Sequence, residues 1–270
     1  MINISVLITC HNRREKTLNI LKCLKSQKID KNIKLSIYLV DDGSTDGTSD
    51  LVKKFYPEVF LIKGNGKLYW GGALNLAWKT AVNSNNQIDY FLWLNDDVDL
   101  FDDAISNCLK YELKNKTKNY ICVGSTMDTN KNYWSYGGYK LKKKKFNLIN
   151  NYSVIPNNEF QNIDIFNGNF VLIPYEVYNQ VGYLDKLFIH NGGDTDYGLR
   201  AKNLNVKIVL MPGYVGYCDR NPNKFKSIRY LNLDMYHFMK RYLNSFKYFY
   251  IVKWYLTYLI NIIFKINLFK

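Results

Sequence analysis

The chain has 270 residues, 47% of them hydrophobic and 22% charged, with a formal net charge of +14. That size suits one large domain or two fused lobes, and the balance is that of a globular protein, not a disordered or fibrous one. So basic a chain favours polyanions, anionic membrane surfaces or phosphorylated substrates, without choosing among them.

The first hundred residues alternate two patterns. "INISVLIT" (2–9) is a short β-branched run that predicts a buried strand. The start "MINISVLITCHNRREK" has no basic region before that run, which argues against a signal peptide. Leu18, Leu21 and Leu24 fall at helical spacing within 13–27. "KLSIYLVDD" (34–42) predicts a second strand, and 44–56 a helix opened by the capping residues Ser44, Thr45 and Asp46. A third strand is expected at 58–64, a helix entered through two glycines at 70–83, and a fourth strand at 88–95. Strands alternating with helices imply a parallel sheet covered on both faces, with ligands beyond the carboxyl ends of its strands. Those ends carry Thr9, His11 and Asn12; Asp41, Asp42, Gly43 and Ser44; Gly64, Asn65 and Gly66; and Asn95, Asp96 and Asp97.

Beyond residue 100 the pattern loosens. Further strands and short helices are expected at 121–128, 133–141 and 169–182, and a helix followed by a strand at 192–217. The Asn-rich stretch 139–162, with four consecutive lysines, reads as a mobile loop or exposed hairpin. Cys10, Cys23, Cys108, Cys122 and Cys218 are scattered and odd in number, as expected of reduced thiols in a cytosolic protein.

The acidic run after the fourth strand has two readings. "DDVDLFDDAI" could cap the following helix. It could also bind a hard cation, Mg²⁺ or Mn²⁺, of the kind that holds a substrate diphosphate through one or two carboxylates.

"SVLITCHNRREKTLNILKCL", "VDDGSTDGT", "GNGKLYWGGALNLAW", "LWLNDDV" and "GGDTDYGLRAK" occur in the order seen in family 2 glycosyltransferases, and the chain resembles those enzymes over about its first 220 residues. It is similar in particular to bacterial enzymes that build O-antigen, capsule or other surface polysaccharide. The resemblance implies an α/β GT-A fold. A nucleotide-sugar-binding half (1–100) and an acceptor-binding half (101–220) would share one continuous mixed sheet, followed by a basic C-terminal helical segment (221–270).

Roles carry over residue by residue. Thr9, His11 and Asn12 match the turn that lines the nucleotide base; Asp41 matches the residue that accepts from the base, and Asp42 the one nearer the ribose. Gly71, Gly72 and Asn75 match the family's third motif, where glycine lets backbone approach the donor. Trp70 and Trp78 are expected to be packing residues. Asn95-Asp96-Asp97 is a variant of the DxD signature, with Asp97 on Mn²⁺ or Mg²⁺ and Asp96 beside the ribose or a metal-bound water. Asp99 points the opposite way and is expected to be structural. Asp194 aligns with the catalytic base, and Gly193 stands where many relatives have Glu. Asp196 and Arg200 suit a structural ion pair as well as substrate contact. Many relatives place a His after the last core strand; Tyr217 stands here, leaving His190 and His237 as substitutes.

The implied reaction is a single displacement with inversion, the Asp194 carboxylate taking the proton of an acceptor hydroxyl. The donor expected is a UDP-hexose or UDP-N-acetylhexosamine, with dTDP-rhamnose as the alternative, and the acceptor a glycan or lipid-linked oligosaccharide. The tail 241–270 has an apolar core, "WYLTYLINIIF", far shorter than the ~20 residues a span requires. Flanked by lysines and rich in Tyr and Trp, it suits an in-plane helix on the inner face of the cell membrane, or else a helix packed on the domain or in an oligomer. Two other classes, a nucleic-acid-binding protein and a non-catalytic sugar-binding relative, are less consistent with the acidic rim and with the retained Asp97 and Asp194.

Overall fold

The computed structural model of the chain describes residues 1–130, 133–143, 149–189 and 192–220. The N-terminal alternation forms in order: β1 (Ile2–Cys10), α1 (Arg14–Lys25), β2 (Ile33–Asp41), α2 (Thr48–Phe55), β3 (Phe60–Lys63), α3 (Tyr69–Val82) and β4 (Tyr90–Asn95). Then come β5 (Asp99–Leu100), α4 (Ala104–Asn115), β6 (Tyr120–Met127), β7 (Trp134–Tyr136), β8 (Gly138–Lys143) and β9 (Ile149–Ser153). The remainder is β10 (Gln161–Asn162), β11 (Ile165–Phe166), β12 (Phe170–Pro174), α5 (Tyr175–Val181), α6 (Gly193–Asn203) and β13 (Lys207–Tyr217).

The main sheet runs β10-β13-β6-β12-β4-β1-β2-β3. The strands β3, β2, β1 and β4 are parallel, as alternation with helices requires. Beyond β4 the sheet becomes mixed, as the resemblance implies, because β12 lies antiparallel to both β4 and β6. No helix intervenes between β11 and β12; the chain enters β12 from the rim and runs down to α5. The first residues of β12 therefore sit beside the last residues of β4, Phe170 opposite Leu94.

β4 is central and buried along nearly its whole length, which explains its unbroken apolar run. Its side chains alternate between two cores. Leu92 and Leu94 pack with Ile20, Leu21 and Ile105 of α1 and α4. Phe91 and Trp93 pack with Ala77, Trp78 and Tyr197 of α3 and α6. Trp78 is fully buried, edge-on to Trp93 with ring centroids 5.4 Å apart.

One local expectation shifts. α2 begins at Thr48, preceded by a left-handed Gly47, and Asp46 accepts the Thr48 N–H at 3.1 Å from just outside the helix. The Asn-rich stretch takes the second of its two expected forms, a β8–β9 hairpin, in a small sheet ordered β11-β8-β9. His190, His237 and the tail from 221 onward, with the basic helices and membrane contact expected there, lie outside the described residues. Among the described residues no helix is long and apolar enough to cross a membrane.

Candidate active site

The turns after β1 and β2 are bonded to each other. The His11 Nδ1 lies 2.7 Å from the Asp42 carbonyl, to which it donates. Asn12, at φ +50°, donates its backbone N–H to Ser44 Oγ at 2.9 Å and accepts the Thr45 N–H at 2.8 Å. Thr9 is half-buried between Val40 and Asn95 in register. Asp41 is buried, accepting the Ser44 N–H at 2.9 Å and the Ser49 hydroxyl.

Asp42 ties the turn after β2 to the loop that follows β3. It is buried, its Oδ1 accepts Gly66 N–H at 2.8 Å, and its Oδ2 accepts the N–H groups of Leu68 and Tyr69 at 2.9 Å each. Both oxygens hold the β3–α3 loop. The α3 glycines also meet the chain itself. A Cβ on Gly71 would lie 2.2 Å from the Phe188 carbonyl oxygen, and the Gly71 N–H donates to Ile189 O at 2.8 Å. On Gly72 the nearest atom, Leu68 Cβ, would be at an ordinary 3.4 Å. Asn75 donates to Leu184 O at 3.0 Å, and its buried Oδ1 has no hydrogen-bond partner among the described residues.

At the end of β4, Asn95 accepts the Trp70 indole N–H at 2.9 Å. Asp96 is buried and receives Arg13 Nη1 at 2.6 Å on Oδ1, while its Oδ2 has no partner among the described residues. Burial pushes the Asp96 pKa up to about 7; Arg13 opposes the rise and Asp97 adds to it. Asp97 is partly exposed and receives the same Nη1 at 2.9 Å on Oδ2 and the Cys218 thiol at 3.6 Å on Oδ1. Burial disfavours the Arg13 charge, but the two carboxylates outweigh it and hold the guanidinium above its ordinary pKa. Asp99 turns away and accepts from Asn19 of α1 at 3.2 Å.

Asp194 lies in the first turn of α6. Its Oδ2 accepts Gly168 N–H at 3.0 Å and its Oδ1 accepts Thr195 N–H at 2.8 Å. Burial raises its pKa against those two amides. Asp196 is fully buried and pairs with Arg200 at 2.8 Å, and Arg200 also donates to the carbonyls of Val181 and Tyr183. That pair fastens α6 to the loop after α5. At Gly193 a Cβ would meet Phe188, Leu184 and Trp70 at 3.4 to 3.6 Å, so apolar side chains line this position.

Gly168 and Asn169 join the two acidic centres, and sequence reasoning did not single them out. Gly168 donates to Asp194, the Asn169 carbonyl accepts Asn95 N–H at 3.0 Å, and the Asn169 amide donates to Cys218 Sγ at 3.4 Å. Their signal was "FNGNF", turn residues directly before a buried run. Arg13, the Trp70 hydrogen bond and Cys218 were missed too. Cys218, not Tyr217, is the residue after β13 that touches Asp97. Its buried thiol is held protonated, with Asp97 adding to the effect of burial, and sulfur is a soft ligand that suits Mg²⁺ or Mn²⁺ poorly.

Among the described residues no three or more His, Cys, Asp or Glu side chains are grouped to hold a metal. The hard oxygens of Asp97 and the unpartnered Oδ2 of Asp96 still fit an Mg²⁺-like ion whose other ligands are phosphate oxygens and water.

The sequence profile described as Glycosyl transferase family 2 matches residues 5–182. No curated protein sequence matches the chain. Among solved structures it is similar to S. aureus TarS 1-349, with 14% identity and a TM-score of 0.56 over 81% of this chain and 60% of that one. It is also similar to the mannosyltransferase PcManGT from Pyrobaculum calidifontis in complex with GDP-Man and Mn²⁺, with 14% identity and a TM-score of 0.58 over 88% of this chain and 64% of that one. The chain thus spans less than two thirds of either structure, and the likeness is one of fold.

Proposed function

Since the chain belongs to glycosyl transferase family 2 and has the GT-A fold, we propose that it transfers a sugar with inversion from a nucleotide-diphosphate sugar to a hydroxyl of a glycan acceptor. The observation that carries this reading is the pair Gly168–Asn169. Adjacent residues of one segment bond Asp194 and the end of β4 that bears Asp96 and Asp97. A proton acceptor and a cation-binding carboxylate held by the same short segment suit displacement at an anomeric carbon between them.

Asp194 is the base. Each of its oxygens accepts one backbone N–H, which fixes the carboxylate and leaves lone pairs for an acceptor hydroxyl. Asp97, with Asp96 behind it, would hold Mn²⁺ or Mg²⁺, which when bound offsets the charge of the departing nucleoside diphosphate. The turn of Thr9, His11 and Asn12, with Asp41, would receive the nucleotide base. Asp42 and Gly71 shape that pocket from behind by fixing the loops around it. The GDP-Man and Mn²⁺ of the similar mannosyltransferase support a nucleotide-sugar donor and a divalent cation.

The finer reading is a UDP-hexose or UDP-N-acetylhexosamine donor and a lipid-linked oligosaccharide acceptor in bacterial surface polysaccharide synthesis, at the inner face of the cell membrane. Its support is the motif resemblance and the basic, aromatic sequence of 241–270. A panel of nucleotide sugars, scored by donor hydrolysis and thermal stabilisation with and without Mn²⁺, tests the proposal. Stabilisation by one donor class that depends on Mn²⁺ is expected; no response to any nucleotide sugar would overturn it.

A further inference from the structure

Arg13 reaches the site from the residue before α1, and one of its atoms bridges the acidic pair. Nη1 lies 2.6 Å from Asp96 Oδ1 and 2.9 Å from Asp97 Oδ2. A single positively charged group thus occupies the gap between two carboxylates, as a bound cation would. An independent observation concerns the other oxygen of Asp96. The residue is 3% exposed, and its Oδ2 has no hydrogen-bond partner among the described residues. A buried carboxylate oxygen without a donor is costly, so the site with Arg13 in place is only partly satisfied.

The Arg13 side chain can leave. It is 23% exposed and makes no other hydrogen bond among the described residues. Its long stem lets the guanidinium move without disturbing α1, which begins one residue later.

We infer that Arg13 is the built-in counter-ion of Asp96 and Asp97 while no divalent cation is bound, and that it competes with that cation for Asp97. The inference rests on Asp97 being a cation ligand, as proposed above. Arg13 is then a positioning residue. It keeps two carboxylates together at the end of a buried strand, where their repulsion is poorly screened, and it makes the site take up the bare ion weakly.

The test is Mn²⁺ binding to the full chain without nucleotide, followed by the electron paramagnetic resonance of free Mn²⁺, together with thermal unfolding. Arg13→Gln is expected to bind Mn²⁺ on the order of tenfold more tightly than wild type, the scale of removing one adjacent like charge. It should also unfold at a lower temperature without metal and be stabilised more by added Mn²⁺. Arg13→Lys keeps the charge without the planar fork and should shift in the same direction by less. Unchanged or weaker Mn²⁺ binding in Arg13→Gln overturns the inference, and Arg13→Lys decides by the same criterion if Arg13→Gln does not fold. Wild type that takes up Mn²⁺ with UDP while the variants match it overturns the Arg13 role alone. Failure of every form to take up Mn²⁺, with UDP or without, overturns the cation reading and this inference together.

Discussion

The Asp42 carboxylate accepts the backbone N–H of Tyr69 at 2.9 Å, joining the turn after β2 to the first residue of α3. With the amides of Gly66 and Leu68, that bond closes the loop around a buried charge. Asp42→Asn is therefore expected to destabilise the fold. The amide side chain would turn an N–H₂ toward N–H groups and lose the charge that strengthens their bonds. Hydrogen bonds to charged groups contribute about 1.5–3 kcal/mol each, so a loss of roughly 2–4 kcal/mol is expected in urea unfolding without any ligand. A stability equal to wild type, with only donor binding weakened, would assign Asp42 to the ribose instead of the loop.

Gly71 and Gly72 should separate in the same kind of experiment. Gly71→Ala drives a methyl to within 2.2 Å of the Phe188 carbonyl and should cost about 1–3 kcal/mol, as overpacking does. Gly72→Ala meets no atom closer than 3.4 Å and should leave the melting temperature within a degree or two, of order 0.5 kcal/mol. If Gly72 is where donor and backbone come together, its alanine variant weakens donor binding alone, which isothermal titration with the active nucleotide sugar would measure.

The sequence made some of this visible. β1 to β4 were legible because β-branched apolar runs alternate with amphipathic helices, and the acidic turns fall at strand ends by that alternation alone. The direction of β12 was not, since an apolar run of five residues reads the same in parallel and antiparallel pairing. Asn169 became visible only once β12 was known to start at the rim. The partner of Arg13 was hidden for a related reason: the two carboxylates lie more than 80 residues away, and only the β1–β4 pairing brings them close. The hold of Asp42 on the β3–α3 loop was not legible, because its backbone donors belong to a loop whose path no local pattern fixes.

Asp96 should give the folded protein a distinctive pH dependence. Its pKa rises from 3.8 to about 7 on folding. Between those values the native state holds a proton that the unfolded chain has released, so this group's contribution to stability falls as pH rises from about 4 to about 7. A tenfold change in proton affinity is worth about 1.4 kcal/mol, so the contribution amounts to a few kcal/mol. Asp96→Asn should flatten that part of the profile, seen as the difference between wild-type and variant unfolding free energies across the range in EDTA. Parallel profiles would mean that Asp96 is ionised throughout.

Asp97→Ala is expected to abolish transfer and to remove the Mn²⁺-dependent part of nucleotide binding, because the diphosphate would then face Asp96 without the ion. Asp97→Asn keeps the shape and loses the charge, and should be nearly as damaging. Calorimetric titration of UDP with and without Mn²⁺ separates the two parts of binding. Full activity of the wild-type protein in EDTA would remove the cation from the mechanism.

Asp194→Asn should leave donor affinity within a few-fold of wild type while turnover falls about a hundredfold or more, the scale of losing general-base help. The substitution is nearly isosteric, and the side-chain oxygen can still accept from Gly168 and keep the 168–169 segment in place, while the N–H₂ turned toward the Thr195 N–H costs some stability that unfolding measurements record separately. Because burial raises the Asp194 pKa, the wild-type rate should climb with pH through a value above the ordinary carboxylate range, as the base must be ionised to take the proton. The variant should lose that acidic limb. Asp196→Asn supplies the contrast. It breaks a buried pair with Arg200, so its damage should appear in unfolding measurements and not in the pH profile. If Asp196→Asn shifts the acidic limb and Asp194→Asn does not, the base lies one half-turn further along α6.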